Sequence, residues 1–130
     1  MIKTPRPTDA ELALLRVLWT RGPSTVRQVH AVVSAERPTG YTTVLKVLQI
    51  MTEKGLVERD ERARTHVYRA ALTAGETQRQ LVGDLVDRAF GGSAAALVLQ
   101  ALAARRASPE EMAEIRRLLD ERKEDSDAGD

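Results

Sequence analysis

The chain has 130 residues, a formal net charge of +1, and a composition that is 42% hydrophobic and 30% charged, which is typical of a folded, soluble protein and excludes a disordered one. It contains no cysteine, so disulfides, thiolate metal sites and a cysteine nucleophile are excluded. No apolar run reaches the roughly 18–20 residues of a membrane span, and no stretch resembles a signal peptide, so we expect a cytoplasmic protein with no membrane partner.

Three helices are predicted in the first 54 residues. Thr8 and Glu11 have the spacing of a capping box, which begins a helix at about residues 9–21. Ser24 is expected to cap a second helix at about residues 25–35, and a third helix begins at Tyr41 and ends before Gly55. One face of the third helix is apolar. The opposite face carries Thr42, Lys46, Gln49 and Glu53, flanked by Thr43 and Ile50.

The rest of the chain predicts a hairpin followed by helices. Residues 56–59 and 65–69 have the composition of two short strands, joined by a polar turn at residues 60–64. Cap signals at Thr73, Ser93 and Ser108 each predict a further helix. The acidic segment at residues 124–130 is predicted to be a disordered tail. We therefore divide the chain into domains at residues 1–72 and 73–123, followed by that tail.

Three short helices followed by a hairpin are typical of a winged helix-turn-helix, in a fold that is mainly α with a small β-hairpin. In such a module the third helix enters the major groove of DNA and the hairpin, or wing, lies along the backbone. Residues 1–72 contain twelve basic and seven acidic residues, a balance of +5, whereas the remainder has a balance of −4. The basic half is therefore the one expected to meet a polyanion. The predicted DNA contacts are Ser24, Thr25, Tyr41, Thr42, Thr43, Lys46, Arg62 and Arg64.

Other interpretations of the same residues stay open at the level of sequence. Tyr41 can instead act as a hydrophobic staple, and the two wing arginines can pair locally with Asp60 or Glu61. Winged helices also serve as protein–protein interaction modules without specific DNA binding. An enzyme is not predicted, because the chain has no nucleophile–base pair, glycine-rich phosphate loop or metal-ligand spacing. No cofactor or metal is expected.

The last three predicted helices carry more apolar side chains than they can bury alone. So small a unit has a high ratio of surface to volume. Pairing with a second copy about a twofold axis would cover these side chains, so we predict a homodimer through this region. The predicted dimerisation residues are Leu81, Leu85, Phe90, Leu97, Val98, Leu102, Ile115, Leu118 and Leu119.

The chain contains the segments PTDAELALLRVLW at 7–19, TVRQVH at 25–30, GYTTVLKVLQIMTEKGLVERD at 40–60, HVYRA at 66–70 and FGGSAAALV at 90–98. Together these segments closely resemble the penicillinase-repressor family, also called the BlaI/MecI/CopY family. The resemblance implies an N-terminal winged helix, a C-terminal helical dimerisation domain, and a homodimeric repressor that binds a dyad operator. It also implies that Thr42, Thr43 and Lys46 lie on the recognition helix and that Arg62 and Arg64 lie in the wing.

The resemblance also implies a way of relieving repression. In the β-lactam branch of the family, a membrane sensor-protease signals for cleavage of the repressor within its dimerisation domain. The corresponding pair here is Gln100 and Ala101, where the family pattern has Asn-Phe. The copper branch carries a C-terminal cysteine cluster, which this chain lacks. A β-lactam-response or related stress circuit is therefore the expected setting. At position 50 this chain has Ile where several relatives have Arg.

Overall fold

The computed structural model describes residues 6–128 of the chain, with side chains through residue 125. Within these residues, six helices and three strands follow one another. They are α1 (Asp9–Arg21), β1 (Ser24–Thr25), α2 (Val26–Glu36), α3 (Tyr41–Lys54), β2 (Val57–Asp60), β3 (Val67–Ala70), α4 (Ala74–Ala89), α5 (Ala94–Ala104) and α6 (Pro109–Ala128). The predicted mainly helical fold with a small antiparallel sheet is confirmed.

The helices begin where their caps predict, with one correction. Thr8 and Glu11 form the predicted capping box of α1, in which each side chain accepts a hydrogen bond from the other residue's backbone N–H. The cap of α2 is Thr25, which forms a capping box with Gln28, and not Ser24. Ser24 instead lies in the short strand β1, which was not predicted because two residues show no alternating pattern.

The three strands form one antiparallel sheet in the order β1-β3-β2. The hairpin pairs Val57 with Ala70 and Asp60 with Val67, so its strands lie one or two residues further along the chain than predicted. β1 pairs with the other edge of β3, with Ser24 opposite Tyr68. The Tyr68 side chain is buried, so the sheet joins the helices through the central strand.

The hydrophobic core lies between α1, α2, α3 and the sheet. Leu15, Val29, Leu48 and Met51 are among its most completely buried side chains. The predicted apolar face of α3 is confirmed, because Val44, Leu48 and Met51 are buried in the core. Val26 and Val29 of α2 are buried in the same core. The opposite face of α3 therefore faces solvent.

The described residues divide into two compact units, the first ending at Asp84 and the second beginning at Leu85, so the division falls inside α4. The first turns of α4 belong to the first unit, where Thr77 is buried and the Trp19 indole N–H donates to the Leu72 carbonyl at 3.0 Å. The division therefore falls later than the predicted boundary at residue 72, because the beginning of α4, which includes the buried Thr77, belongs to the unit that precedes it.

The second unit buries little of its apolar surface. No side chain among residues 85–125 is buried, although α5 is apolar along almost its whole length. α6 continues through Ala128, so the structure describes residues 124–128 of the predicted tail as helix, and residues 129–130 lie outside the described part. A helix already begun extends at little cost from Arg122, Lys123 and Glu124, which favour helix, into the residues that follow.

No single helix within residues 6–128 is long and apolar enough to cross a membrane. One pair of helices, α4 and α5, reaches that length and composition together, but it is bent at the break between them.

Candidate nucleic-acid interface

The exposed face of α3 carries the residues that were predicted to read DNA. Thr42, Thr43 and Lys46 are all exposed, while Val44 and Leu48 of the same helix are buried in the core. A helix held by one face in this way presents a row of polar side chains about one helical turn apart. Hydroxyl and ammonium groups on such a row have the donors and acceptors that base edges and phosphates require.

The N-terminus of α3 is open, in contrast to that of α2. Gly40 precedes α3 and has no side chain to accept a hydrogen bond from its first backbone N–H groups. At α2, the capping box of Thr25 and Gln28 already occupies two backbone N–H groups. From sequence, a phosphate contact was expected at the beginning of α2, but the uncapped amides and positive dipole end of α3 are better placed to hold an anion.

A groove connects the beginnings of α2 and α3 with the segment that leads into β3. Its volume is about 630 Å³, and it is open to solvent. It brings together the predicted residues Thr25, Tyr41 and Arg64, and adds Arg27 and His66, which were not among the predicted contacts. Basic and polar side chains predominate in its lining, together with Val26 and Leu45, and none of the described residues that line it is acidic. We call it the basic groove.

The outer side of the wing has a different charge pattern. A second groove of about 650 Å³ is lined by three acidic residues and three arginines. These charges are paired within the wing: Arg59 contacts Glu61 at 2.6 Å, Arg69 contacts Glu58, and Arg62 contacts Asp60. Opposite charges therefore offset one another on this side, which makes it less attractive to a polyanion than the basic groove.

The two predicted wing arginines, Arg62 and Arg64, differ in whether they form an ion pair with another described side chain. Arg62 forms a two-pronged ion pair with Asp60, with Nη2–Oδ2 at 2.7 Å and Nε–Oδ1 at 3.0 Å. The guanidinium lowers the pKa of Asp60 to about 2, so the pair stays charged at neutral pH. Arg64 forms no ion pair with any residue whose side chain the structure describes, and lines the basic groove. The alternative of local pairing thus applies to Arg62.

Ser24 is withdrawn from the predicted set of DNA contacts. Its side chain is 1% exposed, and its hydroxyl donates to the Gly22 carbonyl at 2.8 Å. Thr25, the next residue, is half-buried and lies at the edge of the basic groove. The Ser24 side chain is not available to DNA because the pairing of β1 with β3 turns it toward the core. This pairing joins distant segments of the chain, so the local sequence does not encode it.

Tyr41 lies at the first position of α3 and is 46% exposed. Its ring meets that of His30 of α2 in an edge arrangement, with ring centroids 5.7 Å apart and planes at 74°. Tyr41 also lines the basic groove. It therefore contacts a neighbouring helix and still presents surface toward the candidate interface. Its place inside the helix differs from that of a hydrophobic staple, which starts from the residue before the cap.

Comparison with known proteins places the chain in a family. The family profile described as Penicillinase repressor matches residues 7–121. The chain belongs to the penicillinase repressor family. It is therefore a transcriptional repressor of the DNA-binding, winged-helix class and not an enzyme.

Individual relatives agree with this assignment. The transcriptional regulator BlaI of Mycobacterium tuberculosis is 41% identical over 101 residues, which cover 75% of this chain and 73% of that protein. The penicillinase repressor of Bacillus licheniformis is 24% identical over 123 residues, covering 95% and 96% of the two chains. A solution structure of the Bacillus licheniformis BlaI monomeric form in complex with the blaP half-operator has a TM-score of 0.51 and 24% identity, and covers 58% of this chain and 93% of that one. This likeness shows the shared fold.

In this penicillinase repressor none of the predicted dimerisation residues is fully buried. Leu81, Phe90, Leu97, Leu102 and Ile115 are half-buried. The other four, which are Leu85, Val98, Leu118 and Leu119, are between 45% and 63% exposed. Leu99 was not among the predicted residues, yet it is 68% exposed. Its apolar neighbours in α5 were the signal that could have identified it.

The residues matched to the family's cleavage site lie inside α5. Gln100 and Ala101 are both exposed, and the helix continues on either side of them. As for metals, no group of three or more His, Asp or Glu side chains within the described residues is arranged to hold an ion.

Proposed function

We propose that this protein is a sequence-specific repressor that binds a dyad DNA operator as a homodimer. The observation that carries the proposal is the basic groove, which lies beside the exposed face of α3 and has no acidic lining residue. In this arrangement α3 enters the major groove of DNA, and the phosphate backbone follows the basic groove.

The side chains divide into base-reading and backbone-binding groups. Thr42, Thr43 and Lys46 lie on the exposed face of α3, from which they can reach base edges. Thr25, Tyr41 and Arg64 line the groove and contact phosphates. Arg62 contributes less than Arg64, because binding a phosphate requires it to leave Asp60.

The dimer is proposed to form through residues 73–123. Exposed apolar side chains on α5 and α6 need a cover, and a second copy of the same unit offers a complementary apolar surface. A twofold dimer presents two copies of α3, and two recognition helices read two half-sites related by the same symmetry. The operator is therefore expected to be an inverted repeat.

We further propose that this repressor is inactivated, as in the β-lactam branch of the family, by proteolysis in the cytoplasm. The bond that would be cleaved joins Gln100 and Ala101. Cleavage there divides α5, and so removes part of the apolar surface that the dimer covers. The helix must first open locally, because proteases bind their substrates in extended form. A sensor-protease of the β-lactam-response type is the proposed partner in this step.

The test of DNA recognition is selection of duplexes from a random-sequence library by the full-length protein. We expect the selected sequences to converge on an inverted repeat. Binding to that repeat should weaken steeply between two salt concentrations, because phosphate contacts release counterions. A winged helix that serves only as a protein-interaction module would return no common sequence, and that result would contradict the proposal.

A further inference from the structure

The turn between α2 and α3 is held by two side chains of α2. His30 Nε2 lies 2.7 Å from the Thr39 carbonyl oxygen, and Ser34 Oγ donates to the same oxygen at 3.0 Å. A carbonyl oxygen only accepts, so the His30 ring carries a hydrogen on Nε2 and donates it. The acceptor lies two residues before Tyr41, the first residue of the proposed recognition helix.

His30 also contacts the beginning of α3 directly. Its ring meets Tyr41 in an edge arrangement at 5.7 Å between centroids. Aromatic rings favour this geometry over face-to-face stacking. One half-buried side chain therefore touches both the turn and the first helical residue, whereas the hydrogen bond of Ser34 reaches only the turn.

This support matters because α3 has no side-chain cap of its own. Thr8 and Thr25 hold the beginnings of α1 and α2 through capping boxes, but Gly40 forms no such bond at α3. A glycine also leaves its backbone more freedom than other residues. The first turn of α3, which carries Thr42 and Thr43, thus depends on neighbouring groups for its position.

We propose that His30 is a positioning residue for DNA recognition, which fixes the first turn of α3 through the Thr39 carbonyl and the Tyr41 ring. This inference rests on the proposed function, in which α3 reads base edges. Contacts to bases tolerate displacements of only about 0.5 Å, whereas contacts to phosphates are less demanding and carry no sequence information. Loss of His30 should therefore reduce discrimination between sequences more than it reduces binding to DNA in general.

The experiment compares four variants of the full-length protein: His30→Ala, His30→Gln, His30→Phe and Ser34→Ala. Each is measured against a duplex selected by the wild type and against a scrambled version of it. His30→Ala should lower the ratio of the two affinities about tenfold per half-site while binding to scrambled DNA changes less than about twofold. His30→Gln, which keeps a donor at the position of Nε2, should recover most of the ratio.

The remaining variants separate positioning by His30 from a general structural role. Ser34→Ala removes the other donor to the same oxygen and should leave the ratio close to that of the wild type. His30→Phe keeps a ring but no donor, and replaces His30→Ala in the comparison if circular dichroism shows that the alanine variant is unfolded. It should also discriminate poorly.

Three results would overturn the inference: unchanged discrimination in the variants that lack the donor, a His30→Gln variant no better than His30→Ala, or an equal loss in Ser34→Ala. Failure of the wild type to prefer any sequence would instead contradict the proposed function itself.

Discussion

At the scale of single residues, Lys46 is the clearest test of base reading. It lies on the exposed face of α3, one turn after Thr42 and Thr43. We expect Lys46→Ala to weaken binding to the selected duplex by about 1–3 kcal/mol per half-site and to relax the preferred sequence. Binding to the selected and scrambled duplexes, measured at one salt concentration, gives both quantities.

A matched control for that experiment is Lys123→Ala, which removes the same exposed side chain from α6. It should leave both affinities close to those of the wild type. An equal loss of affinity on selected and scrambled DNA in Lys46→Ala would identify Lys46 as a phosphate contact and contradict its role in reading bases.

The wing arginines provide a second test at this scale. Arg64 lines the basic groove without an ion-pair partner among the described side chains, whereas Arg62 is held by Asp60. Arg64→Ala should therefore reduce the salt dependence of binding by roughly one unit per lost phosphate contact, and Arg62→Ala should reduce it less. Titrations at several salt concentrations measure the slope for each variant.

Removal of the partner charge gives the complementary prediction. Asp60→Asn releases Arg62 and removes a carboxylate from the wing, so it should strengthen binding to selected and scrambled DNA alike. Glu61→Gln is the matched variant, because it also removes a wing carboxylate but frees Arg59, so only the effect of Asp60→Asn beyond that of Glu61→Gln is assigned to Arg62. Weaker binding in Asp60→Asn would mean that Arg62 needs Asp60 to orient it toward DNA, and would contradict the smaller contribution proposed for Arg62.

At the scale of elements, one carboxylate connects the first and third helices. Glu11 is 3% exposed, accepts a hydrogen bond from the Thr8 backbone N–H at 2.9 Å, and pairs with Lys54 Nζ at 2.9 Å. Burial by itself raises the pKa of Glu11, but the hydrogen bond from Thr8 and the ion pair with Lys54 outweigh it, so the pKa is lowered overall. The charged form is therefore the one that stabilises the fold.

The lowered pKa of Glu11 predicts how the stability of the fold depends on pH. A carboxyl whose pKa is lower in the folded protein stabilises the fold at pH values above its pKa in the unfolded chain, which is near 4.5. This contribution disappears as the pH falls through the pKa of the folded protein. Glu11→Gln should lower the free energy of unfolding by about 1–3 kcal/mol at neutral pH and by less in acid. Denaturant unfolding at a fixed protein concentration and several pH values measures the difference.

Glu111→Gln serves as the control for this pH dependence. Glu111 occupies the same capping-box position at the beginning of α6, but it is exposed and has no lysine partner among the described residues. Its substitution should cost less than that of Glu11. A deficit in Glu11→Gln that stays constant from neutral to acid pH would contradict the assignment of stability to the charged carboxylate.

At the scale of the whole molecule, the apolar surface of α5 predicts self-association. Leu99 is the most exposed of the large apolar side chains described. Light scattering at micromolar concentration should give the wild type twice the chain mass of 14.3 kDa. Leu99→Asp should shift the mass toward that of one chain, because a charge buried between two copies lacks a partner.

Ala31→Asp, an exposed position of α2, is the control and should keep the dimeric mass. A dimer should also bind the full inverted repeat more tightly than a half-site by a factor of about 10²–10⁴, and Leu99→Asp should lose most of that gain. A wild type with the mass of a single chain would contradict the proposed dimer.

Most of the secondary structure follows from short-range patterns in the sequence. A capping box needs residues only three positions apart, and the apolar face of a helix repeats within two turns. These patterns predicted α1, α3 and the hairpin, together with the helices that follow them. The family resemblance is equally a property of the linear chain. For the same reason, the exposed face of α3 could be assigned from sequence alone.

Contacts between distant segments were decided only by the tertiary structure. Pairing of β1 with β3 buries Ser24, and packing of α1 against α3 brings Glu11 to Lys54. The hydrogen bond from His30 to Thr39 likewise depends on how the chain turns between two helices. Such partners are chosen by the packing of the whole core, whose geometry is not contained in any short window of sequence, whereas caps and helical periodicity are.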